Sequence, residues 1–189
     1  FGDERHRLNN ILKGKPTGLD TLTNPVLKDF LSWMLSHDPQ HRPSAKKAMK
    51  HPYLQSAKDQ FELLCKMGNQ IEVKTGDKSS VVVRQLNSNP TDWRIQINPD
   101  VLRYLSTDPL TGKVFRYNSP WTECLRLIRN VSQHWKDRPR PMPQPLAFYL
   151  VGDPQKYFLK LFPSLPVVVY RAVRSSDWTD RSELGEYFM

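Results

Sequence analysis

The chain has 189 residues, and its hydrophobic content of 38% is too high for a disordered protein. The 28 lysines and arginines exceed the 19 aspartates and glutamates, and the net charge of +9 favours a polyanionic partner such as nucleic acid. Sixteen prolines predict short helices in one ordinary domain or two small ones. No apolar run is long enough to cross a membrane, so we expect a soluble chain without membrane contact.

Cysteine usage and the first residue bound the cellular context. Cys65 and Cys124 lie in apolar helical patterns without CxxC spacing. This usage is typical of reduced core cysteines in a cytoplasmic protein and argues against a disulfide scaffold or a zinc module. The chain begins at Phe1 without a signal peptide, so we expect it to be a fragment of a longer protein.

The first part of the chain predicts helices separated by proline turns. Asn24 and Pro25 form a start signal for a helix whose apolar residues recur at helical spacing. Ser44 predicts the cap of a short helix over 45–50, and a further helix is expected over 57–67.

The middle of the chain is harder to assign. Residues 68–80 are polar with two glycines and predict a loop. The valine-rich segment 79–86 fits a strand or a helix behind a serine cap, and we favour the helix because no partner strand is visible. A turn at 92–93, a short helix over 99–105 and a loop over 109–118 follow.

An amphipathic helix is predicted after Ser119 and Pro120. Its apolar stripe contains Trp121, Cys124, Leu125, Ile128, Val131 and Trp135. The opposite side carries Arg126, Arg129, Asn130, Gln133 and His134. The proline-rich segment 138–145 predicts an extended connector, and two proline-started helices precede a polar and aromatic tail. The fold class is therefore expected to be all-α.

The polar side of this helix could carry chemistry. Arg126, Asn130 and His134 are four residues apart and form a row, with Arg129 beside it. Histidine exchanges protons near pH 7, arginine forks onto phosphate oxygens and asparagine donates from its amide. These groups suit metal-free RNA cleavage by a 2′-hydroxyl, for which Tyr117 is the nearest second proton-transfer group. A solvated polar face has the same spacing, and both interpretations stay open.

Motifs for other cofactors are missing from the sequence. His37 and His41 flank a proline turn, but no carboxylate or cysteine completes a ligand set. The sequence contains no GxxxxGK[ST], GxGxxG or GxSxG pattern. We therefore expect no metal site and no cofactor.

Several segments together resemble a known family. The segment at 38–54, DPQHRPSAKKAMKHPYL, resembles the end of a protein-kinase C-lobe. The segments TDWRIQIN, FRYNSPWTECLRLIRNVSQHW and GDPQKYFLKLFPSLPVVVYRAV resemble the kinase-extension nuclease (KEN) domain. RNase L and the unfolded-protein-response sensor kinase/endoribonuclease share this order, and the chain looks closer to RNase L. The resemblance implies a kinase-lobe remnant over 1–57 and a KEN domain over 58–189.

The resemblance also implies an activity. Members of this family are all-helical endoribonucleases that cleave single-stranded RNA without metal, leave a 2′,3′-cyclic phosphate and act as homodimers. By motif, His134 and Tyr117 would be the proton-transfer pair, and Arg129 and Asn130 would bind the phosphate.

Three further residues are candidates for RNA binding. Trp93 matches a family position near the RNA, although core packing would explain it equally well. Glu123 stands where RNase L has an acidic residue, although it also fits an ordinary first-turn acid. Arg126 belongs to the row of polar residues on the same helix.

Departures from the family pattern leave alternatives open. The Gly-rich loop, VAIK lysine, HRD and DFG motifs of kinases are missing, so the chain is not expected to phosphorylate. Arg42, which pairs with a glutamate in kinases, needs another partner or solvent. The alternative function is a catalytically silent dimerisation or RNA-binding module of the same fold. A kinase-lobe fragment with a structural tail would leave the segment RNVSQHW unexplained.

Overall fold

The computed structural model describes residues 6–12, 14, 16, 18–89, 91–108, 110–138 and 142–189. These ranges contain eleven α-helices: α1 (Arg7–Leu12), α2 (Pro25–Met34), α3 (Ala45–Ala48), α4 (Ala57–Asn69), α5 (Ile71–Thr75), α6 (Val81–Leu86), α7 (Pro99–Ser106), α8 (Trp121–His134), α9 (Leu146–Val151), α10 (Pro154–Leu161) and α11 (Leu165–Arg174). Short 3₁₀ helices include Pro39–His41, Pro52–Leu54, Trp93–Gln96, Asp177–Asp180 and Gly185–Tyr187. Extended backbone within the described ranges forms one isolated bridge, between Thr107 and Val114. The all-α prediction is confirmed.

Side-chain caps begin α2, α3, α4, α6, α7 and α10, whereas α5, α8, α9 and α11 begin without one. The Asn24 side chain accepts hydrogen bonds from the first-turn amides of α2, and Asp153 accepts one from Lys156 at 2.8 Å. Helix α8 begins after Pro120 without a side-chain cap from its own segment. Asn87 instead accepts a hydrogen bond from the Thr122 amide at 3.1 Å, so a distant residue satisfies this donor.

The loop predicted over 68–80 is wrong. Helix α4 continues to Asn69, and α5 follows at once, ending at Gly76 with a φ of 66°. Gly68 lies inside α4, where a Cβ atom would collide with the Leu125 carbonyl of α8. Gly68 is thus a packing glycine, whereas Gly76 supplies the left-handed residue at which α5 ends.

One further assignment is confirmed, and one helix was not predicted. The segment 79–86 forms a helix, as favoured, because Ser80 accepts a hydrogen bond from the Val83 amide at 3.4 Å. The sequence reading did not assign α9, which directly follows the proline-rich connector. Residues 139–141 of that connector lie outside the described residues. Arg138, at its start, is buried and donates to the carbonyls of Tyr104 and Leu105 at 2.9 and 3.0 Å.

The centre of the fold is the packing of α4 on α8. Five residues of α8 are almost inaccessible to solvent: Cys124, Leu125, Leu127, Ile128 and Val131. Leu127 was not part of the predicted stripe, whereas the two tryptophans assigned to it, Trp121 and Trp135, lie half-buried at its ends. Cys124 is buried and Cys65 half-buried, and both are free thiols. Helices α5, α6, α7, α10 and α11 cover the remaining sides.

The kinase-like segment packs on α11. His51 is fully buried, and its ring lies 5.2 Å from that of Tyr170. Its Nε2 atom lies 3.0 Å from the Asp29 carboxylate, and its Nδ1 atom accepts from the Tyr53 amide. Arg42 donates to the Ser36 and His37 carbonyls. The boundary at residue 57 stays a prediction, since continuous packing joins the two parts.

No helix in the described part of the chain has the length and hydropathy needed to span a membrane.

Candidate functional site

The polar side of α8 brings together four of the predicted site residues. Asn130 donates from Nδ2 to the Tyr117 hydroxyl at 2.8 Å. Arg129 donates from one terminal nitrogen to Asn130 Oδ1, also at 2.8 Å. Arg126 places its guanidinium 5.9 Å from the centre of the Tyr117 ring. Helix spacing alone aligned the α8 residues, and the loop before the helix adds Tyr117 to them.

Tyr117 is held in place by the core and by a neighbouring loop. The side chain is buried, and its backbone carbonyl accepts from Arg94 at 3.3 Å. Burial raises the pKa of the Tyr117 hydroxyl, although the hydrogen bond from Asn130 and the charge of Arg126 partly offset it. Tyr117 therefore keeps its proton at neutral pH and can donate it, or a hydrogen bond, to a reacting oxygen.

Glu123 and Arg126 form an ion pair with each other across one turn of α8. The pair is partly exposed, with 33% of the Arg126 side chain and 13% of the Glu123 side chain accessible. Glu123 stands in the first turn of the helix, where a carboxylate also interacts favourably with the helix dipole. The Glu123 carboxylate thus partly offsets the positive charge of Arg126.

His134 is the last residue of α8 and lies apart from the hydrogen-bonded group. Its side chain is 63% exposed, and its Nδ1 atom lies 3.6 Å from a carboxylate oxygen of Asp137. Asp108 is close enough that the His134 charge contributes, as its smallest cause, to the lowered pKa of that carboxyl; hydrogen bonds from Thr111 and Leu110 dominate. His134 is thus open to a ligand from solvent.

Trp93 lies in the core. Its ring has 0% exposure, and its indole nitrogen donates to the Asn118 and Pro120 carbonyls, both at 3.1 Å. A fully buried ring offers no face to a base, so this structure does not support direct stacking on RNA. Its position agrees with the other explanation offered by the sequence, core packing. Through these two hydrogen bonds, Trp93 holds the turn between Tyr117 and α8.

Two contacts of the site were not foreseen. Asn69, at the end of α4, accepts a hydrogen bond from the second terminal nitrogen of Arg129 at 3.1 Å. Arg94 is held by Asp92 in an ion pair at 2.7 Å while it binds the Tyr117 carbonyl. The contact of Asn69 was missed because 68–80 was predicted to be a loop. The contact of Arg94 was missed because no spacing rule links Arg94 to Tyr117.

The site ranges from buried Tyr117 through partly exposed Arg129 and Asn130 to exposed His134. A groove of about 720 Å³ runs between α6 and α11, and none of the predicted site residues lines it. We give more weight to the chemistry of α8 than to this concavity, because an RNA backbone binds to open, positively charged surfaces. Within the described residues, no three His, Cys, Asp or Glu side chains come together as a metal ligand set would.

A family model described as Ribonuclease 2-5A matches residues 60–188. The chain belongs to this ribonuclease family, and the matched region contains the KEN-like segments and the whole polar side of α8. The suspected membership in the KEN family is confirmed. The matched residues begin close to the predicted domain boundary, which itself stays a prediction.

Three relatives show how far the similarity reaches. The kinase/endoribonuclease IRE1a of Arabidopsis thaliana is 26% identical over 92% of this chain, and the human 2-5A-dependent ribonuclease is 26% identical over 76%. An Arabidopsis protein named inactive serine/threonine-protein kinase/endoribonuclease IRE1-like is 24% identical over 90%. The chain spans 20%, 20% and 33% of these relatives. These identities do not favour the RNase L branch, so that closer kinship stays a prediction.

Proposed function

We propose that the chain is a metal-independent endoribonuclease that cleaves single-stranded RNA and leaves a 2′,3′-cyclic phosphate. The observation that carries the proposal is the hydrogen-bonded series from Arg129 through Asn130 to Tyr117 in a member of a ribonuclease family. It joins a phosphate-binding cation to a protonated hydroxyl, with His134 one turn further along α8.

The proposed reaction uses these groups in distinct roles. The 2′-oxygen loses its proton and bonds to the adjacent phosphorus, and the bond from phosphorus to the 5′-oxygen breaks as that oxygen gains a proton. The exposed imidazole of His134 serves as one proton-transfer group, whereas Tyr117 donates a hydrogen bond or a proton. Arg129 and Asn130 stabilise the charge that develops on the phosphate oxygens.

The substrate class follows from the same chemistry. A 2′-hydroxyl is the nucleophile, so DNA of the same sequence would bind without being cut. Single-stranded RNA can turn its 2′-oxygen in line with the leaving group more easily than a duplex can. The net charge of +9 favours binding of either nucleic acid. Action as a homodimer is part of the proposal and rests on the family resemblance.

Cleavage of a mixed-sequence single-stranded RNA in EDTA tests the proposal. We expect the 189-residue chain at high concentration to cut RNA to cyclic phosphate ends and to leave an all-2′-deoxy substrate intact. His134→Ala should lower the rate by about 100-fold or more. The melting temperature should not change, because the His134 side chain is mostly exposed.

A silent module of the same fold makes a different prediction. Such a module would bind both nucleic acids without cutting either, and one relative at 24% identity carries the word inactive in its name. Absence of cleavage at concentrations where sedimentation shows a dimer would therefore reject the enzyme. Cleavage that requires added Mg²⁺ would reject the metal-independent mechanism alone.

A further inference from the structure

Asn69 contacts the predicted phosphate-binding arginine from a different helix. It is the last residue of α4, and its Oδ1 atom accepts from Arg129 at 3.1 Å. The residue before it, Gly68, packs so closely on α8 that a Cβ atom would collide with the Leu125 carbonyl and with Arg129 Cβ. This close packing fixes the Asn69 amide relative to the Arg129 guanidinium.

Arg129 is bound on two sides by neutral oxygens. One terminal nitrogen donates to Asn69 Oδ1 and the other to Asn130 Oδ1. Within the described part of the chain, no carboxylate pairs with Arg129, and its buried Nε has no acceptor. Arg126, one turn earlier on the same helix, is instead paired with Glu123. Arg129 is therefore oriented while its positive charge remains available.

We propose that Asn69 is a positioning residue, whose neutral amide oxygen aims Arg129 at the scissile phosphate without neutralising its charge. The role in cleavage rests on the proposed function. A carboxylate in the same place would bind Arg129 more strongly than the amide does and would compete with the phosphate. A shorter apolar side chain would leave the charge free but the guanidinium less well oriented.

This role predicts an unusual order of effects for two substitutions. Asn69→Asp keeps the size and the acceptor oxygen but neutralises Arg129, and we expect kcat/KM for RNA to fall by about 10- to 100-fold. Asn69→Ala loses the hydrogen bond but leaves the charge, and we expect a fall of about 3- to 10-fold. A purely structural hydrogen bond predicts the opposite order, because aspartate would preserve it and alanine would not.

Asn87→Asp is the matched control. Asn87 also ends a helix and binds α8, since its Oδ1 atom accepts from the Thr122 amide at 3.1 Å, and its substitution changes the net charge equally. Aspartate suits this position at a helix start, so cleavage should stay within about twofold of wild type. The melting temperatures of all variants show whether any loss of activity comes from unfolding.

Binding of an all-2′-deoxy oligonucleotide is measured in parallel, so that the two proposals can fail separately. Weaker binding by Asn69→Asp than by Asn87→Asp, by about fivefold or more, supports the role of Asn69 even if wild type cuts nothing. Equal binding and equal cleavage by these two variants would overturn it. So would a larger loss for Asn69→Ala than for Asn69→Asp.

Discussion

Two polar networks in this protein differ in the partners of their arginines. On the kinase-like side, Asp29 lies between His51, Arg171 and Arg174, with 11% of its side chain exposed. On α8, Arg129 is held by amide oxygens and pairs with no carboxylate among the described residues. In the first, the Asp29 network, two arginines share one carboxylate; in the second, the Arg129 network, the arginine remains available to a ligand.

The difference shows which arginines are structural. Burial would raise the pKa of Asp29, but the hydrogen bond to His51 and the charges of Arg174 and Arg171 outweigh it and lower the pKa. Arg174 also lies 4.3 Å from the centre of the Trp33 ring, which it covers. An arginine with a carboxylate and an aromatic partner stabilises the fold and is less available to a ligand. A count of arginines does not distinguish it from one that is free to bind.

The largest effect on stability should come from the Asp29 network. Asp29→Ala leaves His51, Arg171 and Arg174 without their shared carboxylate, so we expect a loss of about 3–5 kcal/mol in the free energy of unfolding. Urea titration followed by circular dichroism measures it. Asp20→Ala is the control, because Asp20 is fully exposed and pairs with Lys28 at the surface. Equal stabilities of the two variants would contradict the structural role of Asp29.

The largest effect on activity should come from the Arg129 network. Arg129→Ala removes the donor that the proposed mechanism assigns to the phosphate, so we expect kcat/KM for RNA to fall by about 100- to 1000-fold. Arg129→Lys keeps the charge but loses the fork that binds both Asn69 and Asn130, and it should recover only part of the rate. Full activity of the lysine variant would show that charge alone matters at this position.

The sequence predicted the parts of the fold that depend on local signals. The start of α2 at Pro25 and the helix containing Asn130 follow from caps and apolar spacing. The loop assigned to 68–80 failed because Gly68 is used for close helix packing, a tertiary cause that leaves no local trace. The same error concealed Asn69.

The candidate site was predictable only in part. Helix spacing aligned Arg126, Asn130 and His134 with Arg129 beside them, and nearness to the helix along the chain suggested Tyr117 before its contact with Asn130 was visible. Spacing could not tell that Trp93 would be fully buried, since a tryptophan serves a core and a base equally well.

Acid should weaken the Asp29 network. The pKa of Asp29 is lowered in the folded protein, so its contribution is complete above its unfolded pKa of about 3.9 and is lost as the pH falls through the folded pKa. The difference in unfolding free energy between wild type and Asp29→Asn should be constant above about pH 5 and shrink below about pH 4. Urea titrations on both sides of these limits, from about pH 7 to about pH 3, measure it, and a constant difference throughout would contradict the assignment.

The smallest effect should come from the ion pair on α8 itself. Arg126→Ala removes a partly exposed pair, so we expect a loss of about 0.5 kcal/mol in stability and less than about threefold in cleavage. Salt-dependent RNA binding provides a sharper measurement on Glu123→Gln.

If the Glu123 carboxylate withholds Arg126 from RNA, Glu123→Gln should bind RNA more tightly than wild type, with a salt dependence steeper by about one phosphate contact. Weaker binding would mean instead that Glu123 contacts RNA directly. Arg126 would then contribute to RNA binding although it is paired, as Arg129 does in the proposal. The Glu123 carboxylate would in that case contact RNA while it pairs with Arg126.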